Sequence, residues 1–150
     1  VNHRGIELSM AGEIAEGLNV VAGASWLRPR LQGETVASGE TGERPVGRSP
    51  RLALASVQYQ PAPWGGSALD ADATYSGPRP ADHRNLGETS GYTLINVGAR
   101  YRFSLRNGLP VALRLRVYNA ADKYAWYADS SGLQSWEPAR RVMLSLTLGD

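Results

Sequence analysis

Residues 93–103, TLINVGARYRF, alternate strictly between two kinds of side chain. Ile95, Val97, Ala99, Tyr101 and Phe103 share one parity; Asn96, Gly98, Arg100 and Arg102 share the other. A period of two held over this length specifies a β-strand whose faces meet different surroundings. The pattern recurs at 4–14, where Ile6, Leu8, Met10 and Ile14 oppose Glu7, Ser9 and Glu13. It recurs at 67–76, with Leu69, Ala71, Ala73 and Tyr75 against Asp70, Asp72, Thr74 and Ser76. Two more strands read the same way: 111–119 (Val111, Leu113, Leu115 and Val117 against Arg114, Arg116 and Tyr118) and 141–148 (Val142, Leu144, Leu146 and Leu148 against Arg141, Ser145 and Thr147). Alternation is weaker at 18–31 and at 51–60, where Leu52 and Leu54 fall on the polar parity. Seven strands and no helix are predicted. Each is about 9–12 residues long, against about 5–6 for a globular strand and about 9–11 for a tilted membrane strand.

The connections alternate in length. Short turns are expected at 15–17, 61–66 and 104–109, and long polar loops at 32–50, 78–92 and 121–138. In an up-and-down meander this places every short turn at one end and every long loop at the other, as in outer-membrane barrels. A soluble meander has no physical reason to segregate its loops. Aromatic residues divide the same way, with Tyr59, Trp64, Tyr101 and Phe103 near the short turns, and Trp26, Tyr75, Trp126 and Tyr127 near the long loops. Belts at both interfaces are a membrane signature, although aromatics also favour strands in general.

Composition narrows the classes. The net charge of +2 is too small to imply nucleic acid, and no basic block occurs. There is no cysteine, so neither a disulfide framework nor a thiolate metal site is available. His3 and His83 stand far apart, which argues against a histidine metal site or catalytic triad. The pair Asp70 and Asp72 shares a face, but an alternating polar face produces such pairs by default, so no enzyme activity is expected. No apolar run approaches the roughly 20 residues of a membrane helix, and VNHRGIELSM lacks the regions of a signal peptide. Two readings stay open. One is a small soluble β-barrel or sandwich that packs the apolar parity inward and binds an apolar ligand. The other is a membrane barrel with lipid on the apolar side and a wet lumen on the other. The apolar parity is rich in alanine, and the chain has one phenylalanine; a jigsaw core wants more volume, whereas lipid asks only for apolarity. Seven strands would leave two open edges, which lipid does not tolerate, so the membrane reading makes this chain part of something larger.

The order of motifs resembles the C-terminal barrel segment of TonB-dependent outer-membrane receptors, ferric-siderophore receptors in particular. Arg4-Gly5-Ile6-Glu7-Leu8 with GLNVVAGASWL is similar to the family's "RGxE…gYsyl" strand pair. RPVGRSPRLALASVQYQ, TYSGPRPADHRN, GYTLINVGARYRF, VYNAADKYAW and PARRVMLSLTL resemble five further segments in the family's order. The chain departs from the pattern where it ends in Leu148-Gly149-Asp150 rather than in an aromatic residue, and where Ala120-Ala121 replaces a bulky pair. The resemblance implies an all-β antiparallel meander within a larger barrel of about 22 strands, located in the bacterial outer membrane. Its partners would be membrane lipid, the remaining barrel strands, a plug domain, and the TonB complex through an N-terminal part outside these 150 residues. Residues 1–150 would be the C-terminal portion of that barrel. No resident cofactor is implied; the ligand would be a ferric siderophore or similar chelate, held by outer loops and upper lumen. Candidate ligand contacts are Arg79, His83 and Arg84 in one loop, and Trp126, Tyr127 and Trp136 in another, since arginine offers charge-assisted hydrogen bonds and aromatics offer stacking area. His83 is not expected to ligate iron that arrives already chelated. Arg100, Arg102, Arg114 and Arg116 form a ladder facing the lumen, available to a plug or to neighbouring strand carboxylates. Asn119 and Asp122 read as turn formers that bond their own backbone.

Overall fold

A computed structural model describes residues 2–149. In chain order the elements are β1 (Asn2–Ala15), β2 (Leu18–Arg30), α1 (Glu34–Ala37), β3 (Arg51–Tyr59), β4 (Ala68–Ser76), β5 (Arg79–Pro80), β6 (Glu88–Thr89), β7 (Tyr92–Ser104), β8 (Pro110–Tyr118), β9 (Trp126–Ala128), β10 (Gln134–Trp136) and β11 (Arg141–Leu148). Seven long strands make one antiparallel sheet in the order β1-β2-β3-β4-β7-β8-β11, each paired with its neighbours along the chain. The four short strands form two ribbons, β5 with β6 and β9 with β10, inside two of the long loops. The seven spanning strands match the alternation. The single-turn α1 and a 3-10 turn at Ala62–Trp64 are helices that periodicity did not predict. Both are too short to show a 3.6-residue repeat.

Register carries each parity unbroken across the wall. One row runs Gly12, Val20, Val57, Ala71, Val97, Val117 and Val142; the row beside it runs Glu13, Asn19, Gln58, Asp70, Gly98 and Arg116. Because paired residues share a face, the sheet has an aliphatic and alanine side and a polar side. The aliphatic side is left open: Ile6 is 76% exposed and Leu8 75%. That rules out the soluble reading, which requires this parity packed inward. Tyr101 stacks on Phe103 and Trp64 meets Tyr59 edge-on at 5.3 Å, all toward the short turns. Trp26 lies on the same side, eight residues up β2 from Leu18, the partner of Tyr59. At about 3.3 Å per residue and about 40° of tilt, that is roughly 20 Å along the membrane normal, close to a lipid-facing band of about 25 Å. Trp126 and Tyr127 do not belong to this upper belt, because they sit on the β9–β10 ribbon beyond the spanning strands.

The densest packing lies outside the wall. The loop 31–50, the loop 77–91 and the loop 119–140 close on one another, burying Val46, Pro80, Thr89, Ala125 and Ala128. Gly47 N–H donates to the Pro80 carbonyl at 3.1 Å, and Gly42 N–H to the His83 carbonyl at 2.7 Å. A Cβ at Gly47, whose φ is +70°, would sit 2.3 Å from the Asp129 carbonyl oxygen, so only glycine allows the first and third loops to touch there.

Candidate functional site

The long-loop end of the polar face holds a recess of about 530 Å³ lined by Leu52, Leu54, Leu94, Ser76, Tyr92 and Glu137, among others. Leu52 and Leu54 are the residues that break parity in β3, and register sets Leu54 beside Thr74, which pairs with Leu94. Three leucines thus form an apolar patch on an otherwise polar wall. Above it, the Tyr92 hydroxyl donates to Glu137 Oε1 at 2.5 Å. The Arg79 guanidinium donates to Ser76 Oγ and lies 5.8 Å from the Tyr92 ring. Arg79 Nε is buried and lacks a partner. An apolar patch with the Arg79 guanidinium at its margin is suited to an anionic ligand with an apolar body.

The six loop candidates do not converge on one point. Arg79 does not line the recess itself but bonds Ser76 and the Tyr92 hydroxyl, which do. His83 is exposed, its Nε2 3.3 Å from the Ser131 carbonyl oxygen, where it ties the second loop to the third. Arg84 is exposed and lines a different cleft, beside Arg44 and Asn85. Trp126 and Trp136 are cross-strand partners on the β9–β10 ribbon, and their rings lie against each other, with Tyr124 on Trp136 at 4.7 Å. Tyr127 pairs with Ser135 and so points to the ribbon's other face. Sequence reasoning missed Tyr92, Glu137, Leu94 and Ser76. The parity break at Leu52 and Leu54 was the one signal that pointed to this region.

Two carboxylates hold the second and third loops in shape. Asp82 accepts backbone N–H bonds from Arg84 (2.9 Å), Leu86 (3.1 Å) and Gly87 (2.7 Å). Asp129 accepts from the Ser131 hydroxyl and N–H and from Leu133 N–H. Those bonds hold both carboxyls below their ordinary value of 3.8, through Leu86 and Gly87 for Asp82 and through Ser131 for Asp129. Asn119 acts as the turn former expected; Asp122 shares its positive φ, but its side chain bonds Arg140 across the loop and not its own turn. Asn119 Oδ1 accepts from Lys123 N–H at 2.8 Å, its amide donates to the Lys123 and Pro138 carbonyls, and Asp122 Oδ1 accepts from Arg140 N–H.

The arginine ladder lies on the polar face as alternation required, and much of it is used within the wall. Arg116 donates to Asp70 at 2.5 Å and to Asp72, while Arg114 meets Asp70 at 3.3 Å. Arg100 donates to Gln60 Oε1 and to the Gly66 carbonyl. The Arg102 guanidinium has no hydrogen-bond partner among the described residues. Arg116 on β8 reaches Asp70 on β4 by passing over β7 at Gly98, which pairs with both. A Cβ at Gly98 would fall 2.6 Å from an Asp70 carboxylate oxygen. No group of histidines and carboxylates among the described residues is arranged to hold a metal ion.

A lipid-exposed aliphatic band bordered by aromatics, a charged inner face and long loops gathered at one end define a stretch of outer-membrane β-barrel wall. The model of the TonB dependent receptor-like β-barrel family matches residues 1–120, and the chain belongs to that family. It is 24% identical to the ferrichrome receptor FcuA and 28% identical to the ferrioxamine receptor, both of Yersinia enterocolitica, over 97% of its own length in each case. It spans about a fifth of the length of these curated relatives. Among solved structures, the ferric preacinetobactin receptor BauA of Acinetobacter baumannii superposes with a TM-score of 0.84 at 24% identity, over 97% of this chain and 22% of that one. The siderophore receptor PiuA of the same organism superposes at 0.77 and 21% identity, over 96% of this chain and 21% of that one. The wall architecture is therefore that of siderophore-receptor barrels.

Proposed function

We propose that residues 1–150 form the C-terminal part of the barrel of a ferric-siderophore uptake receptor, and that the recess beneath the joined loops contacts the ligand. The observation that carries this reading is the recess itself, in which Leu52, Leu54 and Leu94 form an apolar patch closed above by Tyr92 and Glu137, with the Arg79 guanidinium bonded to Ser76 at its margin. A ferric chelate with anionic oxygens and an apolar skeleton meets both needs of such a site. The Trp126–Trp136 pair offers a stacking platform further out. Relatives whose names specify ferrichrome, ferrioxamine and preacinetobactin support the ligand class. The same reading assigns the plug and the TonB-contacting segment to parts of the receptor outside this chain, with release driven by movement of the plug. These residues then bind and perform no bond chemistry.

The test is tryptophan fluorescence of the full-length receptor titrated with ferrichrome, ferrioxamine and ferric catecholates in detergent. One of these is expected to quench with saturation, and Arg79→Gln to weaken it about tenfold, the loss of one charge-assisted bond. A folded receptor that saturates with no ferric chelate refutes the reading.

A further inference from the structure

The outward face carries arginines just above the lipid band. On β1 and β2 the lipid-facing parity continues past Ile6 and Trp26 to Arg4 and Arg28, which are direct cross-strand partners. Trp26 pairs on its other side with Arg51, so Arg51 is diagonal to Arg28 on the same face. Like charges set directly opposite are destabilising unless something lies between them. Among the described residues, Arg4, Arg28 and Arg51 make no salt bridge. Arg28 instead lies 5.6 Å from the Trp26 ring, at the depth where an aromatic belt meets lipid headgroups. Beside them a cleft of about 510 Å³ is lined by Arg28, Arg30, Arg44, Arg48 and Arg84, with Glu43 the one carboxylate. Arg30 is used by Glu43 and Arg44 by Glu88; Arg28, Arg48 and Arg84 carry their charge uncompensated.

We infer that Arg4, Arg28 and Arg51, continuing into this cleft, form a docking site for phosphate-bearing headgroups of outer-leaflet lipid. Phosphate oxygens accept the planar donor pairs of guanidinium groups, and a bridging phosphate turns the Arg4–Arg28 opposition into an attraction. The occupant is a lipid because the arginines stand on the strand parity that faces lipid, contiguous with the aliphatic band, and away from the recess proposed for the chelate. The inference rests on the outer-membrane reading and is independent of the chelate.

The experiment uses the full-length receptor in detergent micelles, with bound lipid counted by native mass spectrometry. The probes are lipid A, lipid A stripped of both phosphates, and inorganic phosphate. Wild-type receptor is expected to bind lipid A at least tenfold more tightly than the stripped lipid. Arg28→Gln with Arg51→Gln should lose about fivefold per arginine, about 25-fold together, while Arg28→Lys with Arg51→Lys keeps most of the affinity. Heat-modifiable gel migration checks that each variant is a folded barrel, and ferric-chelate binding by the variants should match wild type. Equal binding of the two lipids, or an unchanged Gln variant, overturns the proposal. So does inorganic phosphate binding as tightly as lipid A, which would make this a soluble-anion site. A receptor that fails to bind chelates yet still discriminates the lipids refutes the proposed function and leaves this site standing.

Discussion

Gly98 is expected to matter only because Arg116 passes over it. In the wild-type wall, Gly98→Ala puts a Cβ 2.6 Å from an Asp70 carboxylate oxygen, and the carboxylate has to turn off Arg116. A hydrogen bond between charged groups contributes about 1.5–3 kcal/mol. Both side chains keep under a fifth of their exposure, Arg116 17% and Asp70 18%. They nevertheless face a wet lumen, so about 1–2 kcal/mol is the reasonable cost; the more exposed Arg114 adds little. Against this, alanine in place of a strand glycine returns about 0.5–1 kcal/mol of backbone entropy. The net cost in wild type is about 1 kcal/mol. With Arg116→Met in place the bond is already gone, and Gly98→Ala should be neutral or stabilising by about 0.5 kcal/mol. Urea titration of the barrel in phospholipid vesicles, run as a double-mutant cycle, reads the difference as a coupling of about 1–2 kcal/mol. Additivity within about 0.5 kcal/mol would refute the claim that the glycine exists to let this ion pair cross a strand.

Val97→Arg, in the middle of the lipid face, should destabilise the barrel by about 2–4 kcal/mol, whereas Ser56→Arg on the lumen face beside Asp72 should cost under about 1 kcal/mol in the same titration. Asp82→Ala should speed amide exchange at Leu86 and Gly87 without altering the wall. Because the folded carboxyl of Asp82 lies below 3.8, its contribution to loop order is complete above that pH and is lost as pH falls through the lower folded value; exchange protection that declines already between pH 6 and 5 would contradict the assignment. Trp136→Ala should free both Trp126 and Tyr124, seen as a red-shifted tryptophan emission and faster proteolysis of 121–138; an unchanged cleavage rate would show that the stack does not hold the loop.

The wall was legible because period two is a property of sequence, and a lipid-facing strand states it over its full length. Val97 and Arg100 could be assigned to opposite faces before any pairing was known. The reach of Arg116 across Gly98 to Asp70 was not legible: it depends on which residue of β4 stands opposite which residue of β8, and register is set by turn geometry, not by alternation. Strands as short as β5 and β9 have no measurable period, and their pairing comes from loop contacts such as Gly47 to Pro80. For the candidate site, residue type grouped Arg79 with Arg84, whereas Arg79 bonds Ser76 at the margin of the recess and Arg84 lies in the arginine-lined cleft. Leu52 and Leu54 showed as a flaw in a pattern; only the fold revealed that Leu94 joins them.

The most direct test of the account is a cysteine scan of residues 93–103 in the full-length receptor, each site carrying a spin label, with collision rates measured for oxygen and for a water-soluble nickel chelate. This segment has no native cysteine to interfere. Oxygen should dominate at Ile95, Val97, Ala99 and Tyr101, and the nickel chelate at Asn96, Gly98, Arg100 and Arg102, alternating residue by residue. Uniform accessibility along the stretch, or the opposite phase, would contradict the assignment of the aliphatic face to lipid and the arginine face to the lumen.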